Sequence, residues 1–131
     1  MSEKSRLLIV DDSASFRKGM RALLDIQPDM QVVGEAPNGG KALESVETTS
    51  PNLVLLDAQM PGMTGVEVTR QIKSRWPQVK VILMTMYPDY RSKSIEAGAD
   101  AFMTKGIPPE QLLAIIRGIS HDDMETNVKQ S

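Results

Sequence analysis

Cysteine is absent from the 131-residue sequence, and histidine occurs only once, as His121 near the C-terminal end. Without cysteine the chain can form no disulfide bond and no thiolate metal site, which fits a reducing compartment. Because His121 lies in a polar segment after the last apolar run, a Ser-His-Asp catalytic triad is excluded. The chemistry of this chain must therefore work without thiol or imidazole.

Long apolar runs and an excess of positive charge are missing as well. No stretch approaches the roughly 20 apolar residues of a membrane-spanning helix, and the charged N-terminus lacks the apolar core of a signal peptide. The net charge is −2 at pH 7, so the chain offers no basic field to a nucleic-acid backbone. We therefore expect a soluble, cytoplasmic protein that binds neither membrane nor nucleic acid directly.

The composition is that of one globular domain. Hydrophobic residues make up 40% of the chain and charged residues 24%, close to the norm for soluble domains. A length of 131 residues can close one core and is too short for two. Residues 121–131 are polar and aperiodic, so we expect a domain over residues 1–120 and then a polar C-terminal tail or the start of a linker.

Five short apolar runs predict strands, and amphipathic segments between them predict helices. The predicted strands are Leu7–Val10, Met30–Ala36, Leu53–Leu56, Val79–Met84 and Ala101–Thr104. Helices are predicted after Ser13, after a turn at Pro37–Gly40, from about Gly65 to Arg75, from Tyr87–Tyr90 to Ala97, and from Pro108–Glu110 to Ser120. This alternation predicts an α/β fold, with helices on both faces of a parallel five-stranded sheet.

The last predicted helix has a broad apolar side. It consists of Leu112, Leu113, Ile115, Ile116 and Ile119. The side is wider than the usual stripe of about 100°, so it suits either burial against the sheet or contact with a partner.

Polar residues stand where four of the predicted strands end. Asp11 and Asp12 follow the first strand, Asp57 the third, Thr85 the fourth and Lys105 the fifth. In a parallel sheet these ends share one edge, where open α/β sheets bind their ligands. Taken singly, each residue has a plain structural explanation, as a helix cap, a turn hydroxyl or a solvated charge. Their joint placement predicts a single site.

Three carboxylates at one edge repel each other and need a counter-charge. Lys105 supplies one positive charge, and Mg²⁺, which prefers oxygen ligands and keeps open positions for phosphate oxygens, is the expected second. With its oxygens neutralised in this way, a phosphoryl group could be attacked by the carboxylate of Asp57. Because an ionised carboxylate needs no deprotonation, such a transfer depends on positioning and charge.

The motifs that carry this site resemble those of one family. They read Leu-Leu-Ile-Val-Asp-Asp-Ser at 7–13, Leu-Val-Leu-Leu-Asp-Ala-Gln-Met-Pro-Gly-Met-Thr-Gly at 53–65, Val-Ile-Leu-Met-Thr at 81–85 and Gly-Ala-Asp-Ala-Phe-Met-Thr-Lys at 98–105. From about residue 6 to residue 120 the chain resembles the receiver domain of two-component response regulators. The resemblance implies a flavodoxin-like (βα)5 fold with strand order 2-1-3-4-5. Residues 32–36 and 38–44 are similar to receivers that precede a helix-turn-helix DNA-binding domain.

The resemblance also implies roles for single residues. Asp57 would accept a phosphoryl group from a sensor histidine kinase. Asp12 and Asp57 would bind Mg²⁺ directly, together with the backbone carbonyl of Gln59, and Asp11 would reach the ion mainly through water. Lys105 and Thr85 would contact the phosphoryl oxygens.

Further implied roles concern the response to phosphorylation. Thr85 and Phe102 would form a switch whose output is the surface of the fourth helix, fifth strand and fifth helix, for homodimer or effector contact. Gln59 and Tyr87 occupy positions that tune dephosphorylation in the family. The sequence departs from the pattern at Gly106, where proline often follows the lysine through a cis bond, and at Phe102, which lacks a tyrosine hydroxyl.

Other readings of the residues stay open at this point. One is a degenerate receiver that acts only as a protein-binding module. Another is an enzyme of the same architecture, either a carrier of flavin mononucleotide, which Asp11 and Asp12 would repel, or an aspartate-dependent phosphohydrolase. The chain is either a single-domain regulator or the receiver part of a longer protein, and the similarity at residues 32–36 and 38–44 favours the second.

Overall fold

Strands and helices alternate along the chain in a computed structural model that describes residues 4–87 and 91–120. The strands are β1 (Ser5–Val10), β2 (Met30–Ala36), β3 (Leu53–Asp57), β4 (Lys80–Thr85) and β5 (Ala101–Thr104). The helices are α1 (Ala14–Asp25), α2 (Gly39–Thr49), α3 (Gly65–Arg75), α4 (Arg91–Glu96) and α5 (Pro109–Ser120). The predicted alternation is therefore confirmed.

The five strands form one parallel sheet with the order β2-β1-β3-β4-β5. Both the predicted fold class and the predicted strand order are confirmed. All five residues of β3 are buried, because this central strand has neighbours on both sides and helices on both faces. β2 and β5 are the edge strands, and β2 accordingly mixes buried and exposed residues.

Side-chain alternation along the strands divides the core into two layers. In β1, Leu7 and Ile9 face one layer, while Leu8 and Val10 face the other. α1 and α5 cover the first layer through residues such as Leu24 and Ile116, and α2 and α3 cover the second. The sheet is thus sandwiched between helices, as the continuous apolar runs of its strands require.

One predicted turn is in fact the beginning of a helix. We predicted a turn at Pro37–Gly40, but α2 already begins at Gly39, because the Asn38 side chain caps it by accepting from the Lys41 N–H at 2.9 Å. A side chain at position 39 would lie 2.8 Å from a methyl carbon of Val68, so glycine is needed there for packing. Tertiary contact therefore overrides the turn preference of the Asn-Gly-Gly sequence.

The apolar side of α5 packs on the core. Leu112 and Ile116 are buried, and Leu113, Ile115 and Ile119 are partly buried against the same cluster. The core-burial reading of this broad apolar side therefore holds, although three of the five residues keep some contact with solvent.

Two expectations fall outside the described part of the chain. The predicted start of the fourth helix includes residues 88–90, and the predicted tail is residues 121–131. Within residues 4–87 and 91–120, no helix combines the length and the apolar character needed to cross a bilayer.

Candidate functional site

The predicted site residues lie at the carboxyl edge of the sheet, where β1 and β3 run side by side. The chain leaves β1 for β2 on one side and later adds β3 on the other, so this edge is the topological switch point of the sheet. Asp57 is the last residue of β3, and Asp11 directly follows β1. Asp11 is 0% exposed and Asp57 5% exposed, whereas Asp12 is exposed.

Three carboxylates meet at this edge. Asp11, Asp12 and Asp57, called here the acidic cluster, each offer an oxygen, and these oxygens all lie within 4.8 Å of one another. Buried like charges at this spacing repel strongly, because little water screens them. The cluster therefore attracts cations.

Lys105 provides one cation from within the chain. Its ammonium donates to Asp11 Oδ2 at 2.6 Å and lies 3.4 Å from Asp57 Oδ2. It also sits 4.4 Å from the centre of the Phe16 ring, a cation–π contact that fixes its direction. The Lys105 N–H donates to the Thr85 carbonyl at 2.7 Å, and the bond to Gly106 is trans, with the glycine at φ +91°.

The ionisation of the site reflects burial and crowding. Burial raises the pKa of the Asp57 carboxyl, and the Asp11 charge raises it further, against the opposing effects of the Gln59 N–H and Lys105. For Lys105, burial favours the neutral amine, but the hydrogen bond to Asp11 and the charge of Asp57 outweigh it and raise the pKa. One ammonium thus leaves the cluster with excess negative charge.

Thr85, Gln59 and Tyr87 form a short chain of hydrogen bonds beside Asp57. The Gln59 N–H donates to Asp57 Oδ1 at 3.0 Å, and its side-chain oxygen lies 3.4 Å from the Thr85 hydroxyl. The Tyr87 N–H donates to the same hydroxyl at 3.0 Å, while the Tyr87 side chain is 55% exposed. Thr85 itself is fully buried, so its hydroxyl depends on these two partners.

Phe102 stands apart from the acidic cluster. It is a partly buried residue of β5 that packs against the core layer under α3. With Ile95, Ala99 and Arg91 it lines a pocket of about 180 Å³ between α4 and β5. The geometry therefore leaves open space beside the ring.

Two residues that support the cluster were missed in the sequence. A side chain at position 65 would lie 2.1 Å from the Asp57 carbonyl oxygen, so only glycine lets α3 begin against the end of β3. Its signal was the Thr64-Gly65 helix start, where Thr64 caps by accepting from the Glu67 N–H. The second is Arg17, which donates to the Asp11 carbonyl at 2.6 Å.

A groove runs beside Lys105 between α1 and α5. Its volume is about 380 Å³, and its walls are mainly apolar. The apolar lining includes Phe16, Met20, Leu23, Met103 and Leu112. A partner lying in this groove would be next to the ammonium that touches Asp57.

The donor set at the cluster fits Mg²⁺. It consists of carboxylate oxygens with no thiol or imidazole, and it holds more negative charge than Lys105 balances. Hard divalent cations prefer such oxygen donors, and Mg²⁺ is bound through one or two carboxylates with positions left for water and phosphate.

Comparison with known sequences agrees with this geometry. The family described as the response regulator receiver domain matches residues 7–117. An uncharacterized transcriptional regulatory protein of Bacillus subtilis (strain 168), YhcZ, is 37% identical over 110 residues, which cover 82% of this chain and 51% of that protein. The chain spans about half the length of the curated relatives it matches.

Solved structures share the fold. The response regulator receiver domain protein (CheY-like) from Methanospirillum hungatei JF-1 has a TM-score of 0.87 at 28% identity, over 95% of this chain and 99% of that chain. A two-component response regulator of the LuxR family from Aurantimonas sp. SI85-9A1 has a TM-score of 0.85 at 32% identity, over 90% and 86%.

Receiver domains are signalling domains rather than enzymes in the ordinary sense; they work in phosphorelays and bind Mg²⁺ at an acidic pocket. The family match covers most of this chain, and the acidic cluster lies where the fold places such a pocket. The chain therefore belongs to the receiver-domain family of two-component response regulators.

Proposed function

We propose that this receiver accepts a phosphoryl group on Asp57 from a sensor histidine kinase and passes the signal on through a change of its surface. The observation that carries the proposal is the acidic cluster, whose oxygens lie within 4.8 Å of one another around a single ammonium. Such a cluster costs stability unless cations join it, so its presence beside Lys105 favours a role in binding.

Mg²⁺ would be held by the carboxylates of Asp12 and Asp57 and the backbone carbonyl of Gln59, with Asp11 mainly behind a water molecule. When bound, the ion supplies charge neutralisation for phosphoryl oxygens. Asp11 suits the outer role, because its two carboxylate oxygens already accept from the Ser13 N–H at 2.8 Å and from Lys105.

The transfer itself needs no base. An oxygen of the Asp57 carboxylate forms a bond to phosphorus while the phosphorus–nitrogen bond of the kinase's phosphohistidine breaks, and its electron pair returns to the imidazole nitrogen. Lys105 and the Thr85 hydroxyl contact the phosphoryl oxygens. Slow attack of water on the resulting acyl phosphate, tuned by the neighbouring Gln59 and Tyr87, ends the signal.

The switch would work through Thr85 and Phe102. The hydroxyl of Thr85 is bonded to the Gln59 side chain at 3.4 Å, a long and weak hydrogen bond that a phosphoryl oxygen can replace. Movement of Thr85 opens room for Phe102, whose ring borders the pocket between α4 and β5. The output is the α4-β5-α5 surface, which makes homodimer or effector contacts.

The kinase would dock in the groove between α1 and α5. The groove is apolar and ends at Lys105, so an apolar helix lying in it brings a phosphohistidine close to Asp57.

The activity that the output surface controls belongs to a separate effector domain. Because the relative from B. subtilis is described as a transcriptional regulatory protein of about twice this length, we propose that residues 1–120 are the receiver and residues 121–131 a tail or the start of a linker to an effector domain. Nucleic-acid binding then belongs to the effector and not to this acidic chain, and the regulator works in the cytoplasm with its kinase.

Incubation with acetyl phosphate and Mg²⁺, followed by intact-mass measurement, tests the proposal. The parent should gain one phosphoryl group, and Asp57→Asn should gain none. Removing Mg²⁺ with a chelator should abolish the gain. If the parent gains no mass, or Asp57→Asn gains the same mass, the alternative of a degenerate receiver that only binds proteins replaces this proposal.

A further inference from the structure

Arg17 lies where helix energetics disfavour it. It is the fourth residue of α1, four positions after the Ser13 cap, and its N–H donates to the Ser13 carbonyl at 3.1 Å. The N-terminal end of a helix carries partial positive charge, so a cation near it is disfavoured. The Arg17 side chain is moreover only 16% exposed, which adds the cost of removing a guanidinium from water.

Hydrogen bonds to the backbone of Asp11 and to the side chain of Glu35 hold Arg17 in this position. Its Nη1 donates to the backbone carbonyl of Asp11 at 2.6 Å, and its Nε donates to Glu35 Oε1 at 3.0 Å. Arg21 donates to the other oxygen of Glu35 at 2.9 Å. Glu35 is on β2, the strand whose Ala36 carbonyl accepts from the Asp11 N–H at 3.1 Å.

These contacts fix the peptide unit from which Asp11 and Asp12 project. The Asp11 N–H is held by β2 and the Asp11 carbonyl by Arg17, so both backbone polar groups of this residue have a partner. Glu35 meanwhile neutralises the guanidinium and keeps it on the carbonyl, away from the carboxylates of the cluster.

We propose that Arg17 is a positioning residue that holds Asp11 and Asp12 in the geometry for a divalent cation, with Glu35 and Arg21 holding Arg17 in turn. The inference rests on the proposed function of the acidic cluster as a cation site. Arginine is required because its planar fork reaches the carbonyl and Glu35 at once, which a single ammonium cannot do.

The test measures Mg²⁺ affinity without any phosphodonor, by isothermal titration calorimetry on the full chain. Arg17→Met should weaken binding about tenfold, the usual size of losses in the outer shell of a metal site. If Arg17 were only a nearby positive charge, the sign would reverse, because removing a cation makes the cluster more attractive to Mg²⁺. Unchanged or tighter binding therefore overturns the proposal.

A second variant keeps the test decisive if Arg17→Met does not fold. Arg17→Lys retains the charge and loses the fork, so positioning predicts weaker Mg²⁺ binding, whereas a charge effect predicts no change. Arg117→Met is the matched control, since it removes a guanidinium that donates to Asp29 at 2.8 and 3.1 Å, before the start of β2 and away from the acidic cluster, and its Mg²⁺ affinity should equal that of the parent.

The same variants separate this inference from the proposed function. In the acetyl phosphate assay, Arg17→Met should raise the Mg²⁺ concentration at half-maximal rate by the same factor, about tenfold, as in calorimetry. If the parent binds Mg²⁺ but gains no phosphoryl group, the proposed function fails while the calorimetric comparison still decides the role of Arg17. If the parent is phosphorylated but Arg17→Met binds Mg²⁺ as tightly, only the positioning role fails.

Discussion

Replacing Lys105 with methionine should destabilise the domain at neutral pH, and Mg²⁺ or mild acid should restore much of the loss. The substitution keeps the length of the side chain and removes the ammonium that lies 2.6 Å from Asp11 Oδ2 and 3.4 Å from Asp57 Oδ2. Both carboxylates are buried, so they would be left facing each other and Asp12 without a cation.

The size of the effect follows from these distances. At an effective dielectric constant near 20, the pair with Asp11 is worth about 6 kcal/mol and the pair with Asp57 about 5 kcal/mol, before desolvation. Desolvation of the ammonium offsets part of this gain, and removing one partner of a buried ion pair costs about 3–5 kcal/mol. Because domains of this size are stable by only about 5–15 kcal/mol, we expect a loss of about 3 kcal/mol in the free energy of unfolding.

The free energy of unfolding of the Lys105→Met variant should rise in mild acid and in Mg²⁺. Burial already raises the pKa of Asp57, and the substitution removes the lowering effect of Lys105, so the folded variant keeps its proton to a higher pH than unfolded Asp, whose pKa is near 3.9. Since the folded state then binds more protons, its free energy of unfolding rises as the pH falls from 7 towards about 4. Saturating Mg²⁺ should add about 3 kcal/mol by mass action, and more to the variant than to the parent at equal concentration.

Urea unfolding followed by the fluorescence of Trp76 provides the assay, because this single tryptophan lies after α3, away from the acidic cluster. Lys73→Met is the matched control: Lys73 is also partly buried and donates to Asp100 at 3.0 Å, but only one carboxylate pairs with it. It should lose stability but gain no more from Mg²⁺ than the parent gains. A Lys105→Met protein as stable as the parent, with no added response to Mg²⁺, would refute the reasoning.

Three further predictions concern other parts of the molecule. Gly65→Ala places a methyl group 2.1 Å from the Asp57 carbonyl, so it should cost about 3 kcal/mol or more in urea unfolding and slow phosphorylation by acetyl phosphate. Glu35→Gln should destabilise the domain at pH 7, and its difference from the parent should shrink as the pH falls below about 4. The hydrogen bond from Arg21 lowers the pKa of Glu35, so its contribution is complete above the unfolded value near 4.3 and disappears as the pH falls through the folded value. Met20→Glu, in the groove between α1 and α5, should slow transfer from a histidine kinase about tenfold or more while leaving the acetyl phosphate rate unchanged.

Each of these has a result that contradicts it. For position 65 the control is Gly118→Ala, where the added methyl group meets nothing within 4 Å and helix propensity alone should stabilise α5 slightly. Equal effects of the two alanine substitutions on the free energy of unfolding would contradict our account. For Glu35, a stability difference from the parent that does not shrink as the pH falls below about 4 would contradict the linkage, and for Met20, a parallel fall of both rates would contradict docking in the groove.

The fold was largely predictable from the sequence, because a doubly covered parallel strand has to be apolar along its whole length. The apolar runs before Asp11 and Asp57 are buried on both faces, whereas an amphipathic strand would alternate apolar and polar residues. The residues at which helices begin were harder to predict from the sequence. Whether Asn38 turns the chain or caps a helix depends on what lies over Gly39, and that neighbour, Val68, is 29 residues further along the chain.

The acids and the lysine of the site were predictable for a topological reason: parallel strands bring their ends to one edge. The residues that support the site, Phe16 and Arg17, were not predictable in this way. Phe16 stands at helical spacing with Met20 and Leu23, and nothing in that spacing shows that its ring lies 4.4 Å from the Lys105 ammonium. Arg17 was partly predictable, because a cation in the first turns of a helix is disfavoured unless residues distant in the sequence bind it.

α5 runs from the carboxyl edge of the sheet to the opposite edge. The helix begins four residues after Lys105 and ends at Ser120, whose hydroxyl accepts from Ser5 at 3.0 Å at the opposite edge of the sheet. Its 12 residues make a rigid rod about 18 Å long. A rod of this length turns a small tilt at its first turn into a larger displacement at Ser120, so a change beside Lys105 that tilted α5 would move the surface around Ser5 and Ser120.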